Sequence, residues 1–160
     1  MRNVLFILFF FILTIPTYGQ KDVFIPLGNM VDWGLFYEDE NIILFSKTAA
    51  CNDPAGGPTS NYVFISIENK TAHKVEARWH YDLYSADKCI TCMDNDGENS
   101  FDYTMNPEQS LIPDCGYKQE WDNEGKKAIP FAVYLSQTDK PSGDDVIKVV
   151  LSNLMTSKFD

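Results

Sequence analysis

NYVFISIENKTAHKVEARWHYDLYSADKCITC, residues 61 to 92, is the stretch that decides the fold class. From Tyr62 to Glu68, and again from Val75 to Leu83, apolar and polar side chains alternate, and a polar turn at 69–73 separates the two runs. Period two is typical of a half-buried strand, because a helix would spread the same apolar residues around its circumference. We therefore predict two strands joined as an antiparallel hairpin, each with one buried and one solvated face.

Shorter runs of the same kind follow on either side. Residues 31–47 predict a second hairpin, and Pro26 ends a first edge strand. Further strands are predicted at 101–105, 109–112, 129–135 and 146–155. About seven to eight short strands, roughly ten residues apart, are typical of an all-β sandwich or barrel.

The first 19 residues are predicted to be a cleavable signal peptide. Arg2 precedes an apolar run from Val4 to Ile15, and Gly19 ends a plausible cleavage site. The run is too short for a transmembrane helix, so no stable membrane anchor is expected after cleavage. Residues 20–160 are predicted to form a single domain, which is secreted or periplasmic.

The chain is acidic, with 23 Asp and Glu against 13 Lys and Arg and a formal net charge of −10. A surface of this sign repels phosphate backbones and anionic lipid. Nucleic acid is therefore excluded as an expected partner.

Four cysteines, Cys51, Cys89, Cys92 and Cys115, follow the signal peptide. An even number in an exported chain indicates disulfides, and spacing alone leaves three pairings open. A bridge within Cys89-Ile90-Thr91-Cys92 would close a very small ring that is more typical of a redox centre. We therefore expect these two cysteines to reach outward, one to Cys115 and one to Cys51.

The order of features resembles that of small uncharacterised exported bacterial proteins with an immunoglobulin-like β-sandwich. The likeness covers residues 61–155. It rests on the strand before Asn69-Lys70-Thr71, the strand ending Asp82-Leu83-Tyr84, the Cys89–Cys92 segment, the Tyr103 strand, Pro107, Cys115, and the closing Leu151-Ser152-Asn153-Leu154. The resemblance implies an immunoglobulin-like antiparallel sandwich and an export route, and it implies no catalytic residues.

Three sets of residues could hold a ligand. Asp94, Asp96 and Glu98 lie in an acidic turn with Gly97 and could bind calcium, although an ordinary hairpin turn uses the same residue types. His80, Cys89, Cys92 and Cys115 match a zinc ligand set, although export favours bridges over thiolates. Tyr117 and Trp121 could stack on a sugar or anchor a protein, whereas Trp33 and Trp79 are expected in the core.

We expect no catalytic residues and no cofactor apart from calcium. His73 and His80 read as surface residues, no nucleophile motif is present, and Asn69 suits a turn better than a glycosylation site. The leading hypothesis is a non-enzymatic exported module that binds a protein or glycan at the cell envelope or outside. The alternatives are a small secreted hydrolase and a calcium-stabilised structural module.

Overall fold

The computed structural model describes residues 21–28, 32–52, 57–86, 88–92, 99–115, 132–138 and 145–159. The predicted signal peptide, residues 1–19, lies outside these ranges. The described residues form ten strands, which are β1 (Lys21–Ile25), β2 (Gly34–Glu38), β3 (Ile42–Cys51), β4 (Ser60–Asn69), β5 (Lys74–Ser85), β6 (Lys88–Cys89), β7 (Ser100–Met105), β8 (Ser110–Leu111), β9 (Ala132–Gln137) and β10 (Lys148–Phe159). This part of the chain holds no apolar helix of membrane-spanning length.

The strands pair into two antiparallel sheets. In the first sheet β10 lies between β1 and β5, and β6 and β7 share the other edge of β5. In the second sheet β3 lies between β2 and β4, and β8 and β9 share the other edge of β4. The predicted all-β class is confirmed, and two separate antiparallel sheets are the arrangement of a sandwich.

One hydrophobic core lies between the sheets, because one side of each alternating run faces the opposite sheet. Tyr81 and Phe101 pack edge to face with ring centroids 4.9 Å apart, and Trp79 packs against both rings. Trp79 is in the core as predicted, whereas Trp33 is only half-buried and lies outside it. The buried core residues are Val23, Ile25, Ile42, Leu44, Val63, Ile65, Ile67, Val75, Ala77, Trp79, Tyr81, Phe101, Met105, Val133, Leu135, Val149, Leu151 and Leu154.

The two strands of the opening stretch exist, but the hairpin predicted between them is wrong. β4 belongs to the second sheet and β5 to the first, so the turn at 70–73 carries the chain across the core. The alternation of apolar and polar residues shows which face of a strand is buried, but it does not show which other strand pairs with it. Each edge of β4 and β5 is occupied by another strand, which leaves no place for a β4–β5 ladder.

Asn69 holds this crossing turn together. Its side chain is fully buried, and its Nδ2 donates to the carbonyls of His73 and Asn106, each at 2.8 Å. Its Oδ1 accepts from the backbone N–H and the hydroxyl of Thr71, each at 2.9 Å. The amide therefore uses its full capacity of two donated and two accepted hydrogen bonds. This supports the turn interpretation of Asn69 over glycosylation.

Asp39 joins the β2–β3 turn to the first sheet. Its Oδ1 accepts from the backbone N–H groups of Asn41 at 2.7 Å and Ile42 at 2.8 Å. Its Oδ2 accepts from the Tyr37 hydroxyl at 3.0 Å and from the Thr156 hydroxyl at 2.8 Å. Because Thr156 lies on β10, this carboxylate ties one sheet to the other at the end of the sandwich.

The remaining strand predictions mostly hold. The predicted hairpin at 31–47 is present as β2 and β3, although β3 continues to Cys51, and Pro26 follows edge strand β1 directly. β7, β8, β9 and β10 overlap the predicted runs, although β9 continues to Gln137 and β10 to Phe159. The sequence reading missed β6, because two residues are too few to show a period.

Candidate functional site

An aromatic surface covers the outside of the second sheet. Successive side chains of a strand point to opposite faces, so the residues between the core positions of β3 and β4 face outward. The register places Phe45 beside Leu35 and Ser66, and Tyr62 beside Tyr134. We call this surface the outer aromatic face and define it by Trp33, Leu35, Phe45, Tyr62, Phe64 and Tyr134.

Three rings of the outer aromatic face, those of Tyr62, Phe64 and Tyr134, contact one another. Tyr62 meets Tyr134 edge to face with centroids 5.9 Å apart, and it lies 6.1 Å from the Phe64 ring. The ammonium of Lys47 sits 4.8 Å from the centroid of the Trp33 ring, within cation–π range. The rings are therefore held in fixed positions by their neighbours.

Exposure varies across this face. Phe64 is buried although it lies outside the core cluster, and Trp33, Phe45 and Tyr62 are half-buried. Tyr134 is 44% exposed and Leu35 is 56% exposed. A large apolar side chain left in water beside packed rings is typical of a contact surface.

The disulfides differ from the pairing that we expected. Cys51 is bonded to Cys115, and Cys89 is bonded to Cys92. The prediction that Cys89 and Cys92 reach outward is therefore wrong, because the chain turns after β6 and brings their Cα atoms to within 5.7 Å of each other. On the loop-entropy account the long bridge stabilises the fold by about 4 kcal/mol and the short one by about 2 kcal/mol.

The segment Cys89–Cys92, which we call the CITC loop, is anchored to the edge of β5 between β6 and β7. The Ile90 N–H donates to the Leu83 carbonyl at 2.7 Å. The buried Thr91 hydroxyl donates to the Tyr81 carbonyl at 2.6 Å and accepts from the Leu83 N–H at 2.9 Å. The Thr91 side chain thus makes hydrogen bonds to β5 that the backbone of a paired strand would otherwise make. These hydrogen bonds, and that of Ile90, involve no sulfur atom of the loop.

The sulfurs of the CITC loop lie among polar groups. The Cys92 N–H donates to Cys89 Sγ at 3.1 Å, and the Tyr84 hydroxyl lies 3.5 Å from Cys92 Sγ. A carboxylate oxygen of Asp82 and the two sulfurs all lie within 4.8 Å of one another. Asp82 is in turn bound by His80, with Nδ1 3.0 Å from Oδ1.

A cation stands on the other side of Tyr84. The Lys148 ammonium lies 4.3 Å from the centroid of the Tyr84 ring and 4.9 Å from that of Phe24. The charged groups around the CITC loop are therefore mixed in sign.

The predicted zinc set does not assemble. Cys115 is bonded to Cys51, and the His80 ring is hydrogen-bonded to Asp82. Among the described residues, the ligand atoms of Asp82, Cys89 and Cys92 converge instead, and cysteine spacing offered no reason to include Asp82. The sequence feature that could have indicated Asp82 was its position two residues from His80 on the solvated side of β5.

The other predicted site residues lie outside the described residues. These are the calcium candidates Asp94, Asp96 and Glu98 and the aromatic candidates Tyr117 and Trp121. The outer aromatic face was not predicted as a site, because its residues were read as members of ordinary strands. Its signal was the presence of Tyr62 and Phe64 on the side of β4 that was expected to be wet.

A shallow groove of about 310 Å³ also borders His80, with Ser100, Asp102 and Arg78 among its lining residues. The Ser152 hydroxyl donates to the His80 backbone carbonyl at 3.4 Å rather than to the imidazole. His73 lies in the crossing turn and is exposed.

No protein-family model, curated protein or solved structure matches this chain. The geometry of its own residues therefore carries the functional argument.

Proposed function

We propose that this chain is an exported β-sandwich module, immunoglobulin-like in architecture, that binds a protein partner through the outer aromatic face. The observation that carries the proposal is the exposure of Leu35 and Tyr134 beside packed rings on a sheet face turned away from the core. Two disulfides are compatible with an oxidising compartment such as the periplasm or the cell exterior.

The chemistry of this face favours a protein over a glycan. Interface cores are enriched in Tyr, Trp and Phe and depleted of most charged residues, and the face shows this composition. A sugar needs several polar groups to bind its hydroxyls beside a stacking ring. The Lys47 ammonium lies over the Trp33 ring and Ser66 is buried, so these polar groups are poorly placed to bind the hydroxyls of a sugar.

The test is site-specific photo-crosslinking in the native host, with a photoreactive amino acid at residue 134 or at residue 35. Residue 104 is the matched control, because Thr104 is also an exposed strand residue but lies on the first sheet. We expect one discrete protein adduct from residues 134 and 35 and none from residue 104. Tyr134→Ala in the chain that carries the crosslinker at residue 35 should weaken that adduct.

Two outcomes would overturn the proposal. Equal adducts from all three positions would show that the face has no special role. Binding to a glycan array that Tyr134→Ala abolishes, without a protein adduct, would replace the protein partner by a sugar.

A small secreted hydrolase is the second candidate, favoured by the hydrogen bond between His80 and Asp82 at the rim of the groove that Ser100 lines. In that case Ser100 would be the nucleophile and His80 the base. Incubation with a fluorophosphonate probe decides this, because labelling of Ser100 that His80→Gln abolishes supports a hydrolase. An unlabelled Ser100 ends the idea.

The calcium-stabilised module stays a prediction for Asp94, Asp96 and Glu98. It requires a higher Tm in calcium than in chelator.

A further inference from the structure

We propose that the Cys89–Cys92 disulfide is a redox centre that exchanges an electron pair with dithiols, whereas Cys51–Cys115 is a permanent clip. This activity is independent of the proposed binding function, because the CITC loop belongs to the first sheet and the outer aromatic face to the second. Four observations carry it: the exposure of one cysteine, a hydrogen bond to the sulfur of the other, a convergent carboxylate, and an anchorage that does not depend on the bridge.

The unequal exposure of the two cysteine residues sets the direction of attack. Cys92 is exposed and Cys89 is half-buried. A thiolate of the partner dithiol therefore attacks Cys92 Sγ and forms a mixed disulfide, and the electron pair of the broken bond stays on Cys89 as a thiolate. The Cys92 N–H, 3.1 Å from Cys89 Sγ, donates to the sulfur on which this charge develops.

The second half of the exchange releases the partner. The second thiolate of the partner attacks the partner sulfur of the mixed disulfide. The partner becomes a disulfide, and Cys92 leaves as a thiolate. Two electrons and two protons have then passed from the partner dithiol to the protein, so the equation balances without any further reagent. The Tyr84 hydroxyl, 3.5 Å from Cys92 Sγ, can donate a hydrogen bond to the departing thiolate.

Asp82 is placed to carry the proton. Its carboxylate lies within 4.8 Å of both sulfurs, and it can accept the proton that the partner thiol loses and return it to a protein thiolate. The hydrogen bond from His80 at 3.0 Å orients this carboxylate. Lys148 beside Tyr84 adds a positive charge that offsets the repulsion between the carboxylate and a nearby thiolate.

The anchorage of the CITC loop lets the fold survive reduction. Ile90 and Thr91 keep their hydrogen bonds to β5 whether or not the sulfurs are joined. Each bridge has one exposed end, Cys92 in the short bridge and Cys115 in the long one, so the difference between them lies in what opening releases. The long bridge joins residues 64 positions apart, whereas the short one joins residues three positions apart, so opening the short bridge disturbs less of the molecule.

The experiment equilibrates the oxidised chain, without its predicted signal peptide, in mixtures of reduced and oxidised dithiothreitol. Each sample is quenched in acid, alkylated, and read by peptide mass spectrometry as the reduced fraction of each pair. We expect Cys89–Cys92 to open at a reduced-to-oxidised ratio at least tenfold lower than that for Cys51–Cys115, with an unchanged β-sheet circular dichroism spectrum. The same two-electron step should run backwards when the reduced protein meets oxidised glutathione.

Variants test the roles of single residues. Cys89→Ala should form a stable mixed disulfide with glutathione at Cys92, and Cys92→Ala should form none at Cys89. Asp82→Asn should slow reduction by dithiothreitol roughly tenfold or more. The matched control is Asp102→Asn, because Asp102 is an exposed carboxylate on the same sheet that pairs with Arg78 at 3.0 Å, and its rate should stay unchanged.

The proposal is overturned if both bridges open at the same ratio, or if opening Cys89–Cys92 melts the sheet signal. Equal rates for the Asp82 and Asp102 variants would remove Asp82 from the mechanism. A reduced protein that resists oxidised glutathione would show that the short bridge is structural. None of these readouts depends on the outer aromatic face, so failure of one proposal leaves the other standing.

Discussion

Buried polar side chains at the turns specify this fold at the level of single residues. The Asn69 side chain makes four hydrogen bonds at a fully buried position. From the sequence, Asn69-Lys70-Thr71 predicts a turn and nothing more. The carbonyl of Asn106, which the amide binds, comes 37 residues later, and no local pattern reports so distant a partner.

Asn69→Ala should lower the free energy of unfolding by roughly 2–4 kcal/mol, because it leaves buried backbone groups without partners. Asn61→Ala is the control, since Asn61 is half-buried and bonds to the Ser136 hydroxyl at the surface, and it should cost less than about 1 kcal/mol. Urea denaturation of both variants measures the difference. Similar losses in the two would show that burial of the Asn69 bonds adds nothing.

At the level of elements, the strands and their buried sides could be predicted from the sequence, whereas the pairing of neighbouring strands could not. Val63, Ile65 and Ile67 were correctly placed on one face of β4, and Val75 and Ala77 on one face of β5. The pairing failed because a short polar turn suits a hairpin and a crossing between sheets equally well. The contact that distinguishes the two, the bond from Thr156 on β10 to Asp39 in the β2–β3 turn, links residues 117 apart.

This inter-sheet contact predicts a loss of stability in alkali. Burial raises the pKa of the Tyr37 phenol above its ordinary value of 10.0, and the charge and hydrogen bond of Asp39 raise it further. The unfolded chain therefore loses the Tyr37 proton first. The stabilisation is fully present below about pH 10 and is lost as the pH rises towards the higher folded pKa.

Urea unfolding of the wild type and of Tyr37→Phe between pH 8 and 11 measures this effect. The free energy of unfolding of the wild type should fall more steeply with pH above about pH 10 than that of the variant, which has no phenol to ionise. The other tyrosines titrate in both proteins and cancel in the comparison. Parallel curves would mean that Tyr37 is not held in its neutral form.

At the level of the whole molecule, we assign the two disulfides different roles, one in redox exchange and one in stabilising the fold. Their number could be predicted from an exported chain with four cysteines, and their pairing could not, because it depends on which strands lie together. The candidate site shows the same limit. Cys89 and Cys92 are only three positions apart in the sequence, whereas Asp82, Tyr84 and Lys148 join them only through the pairing of β5 with β6 and β10.

Removing each bridge should therefore have unequal consequences. Cys51→Ala with Cys115→Ala should lower the free energy of unfolding by about 4 kcal/mol, and Cys89→Ala with Cys92→Ala by about 2 kcal/mol. The same urea titration compares the two double variants with the wild type. An equal or larger loss for the short bridge would contradict the loop-entropy account and the view of Cys51–Cys115 as the structural clip.

The position of β10 has a consequence for synthesis. It lies in the middle of the first sheet, between β1 and β5, although it follows every other described strand in the sequence. Until residues 148–159 are synthesised, β1 has no ladder partner, and one edge of β5 is unpaired. A chain truncated before Lys148 therefore loses a central strand of the first sheet rather than an edge strand, and it leaves β1 and one edge of β5 unpaired.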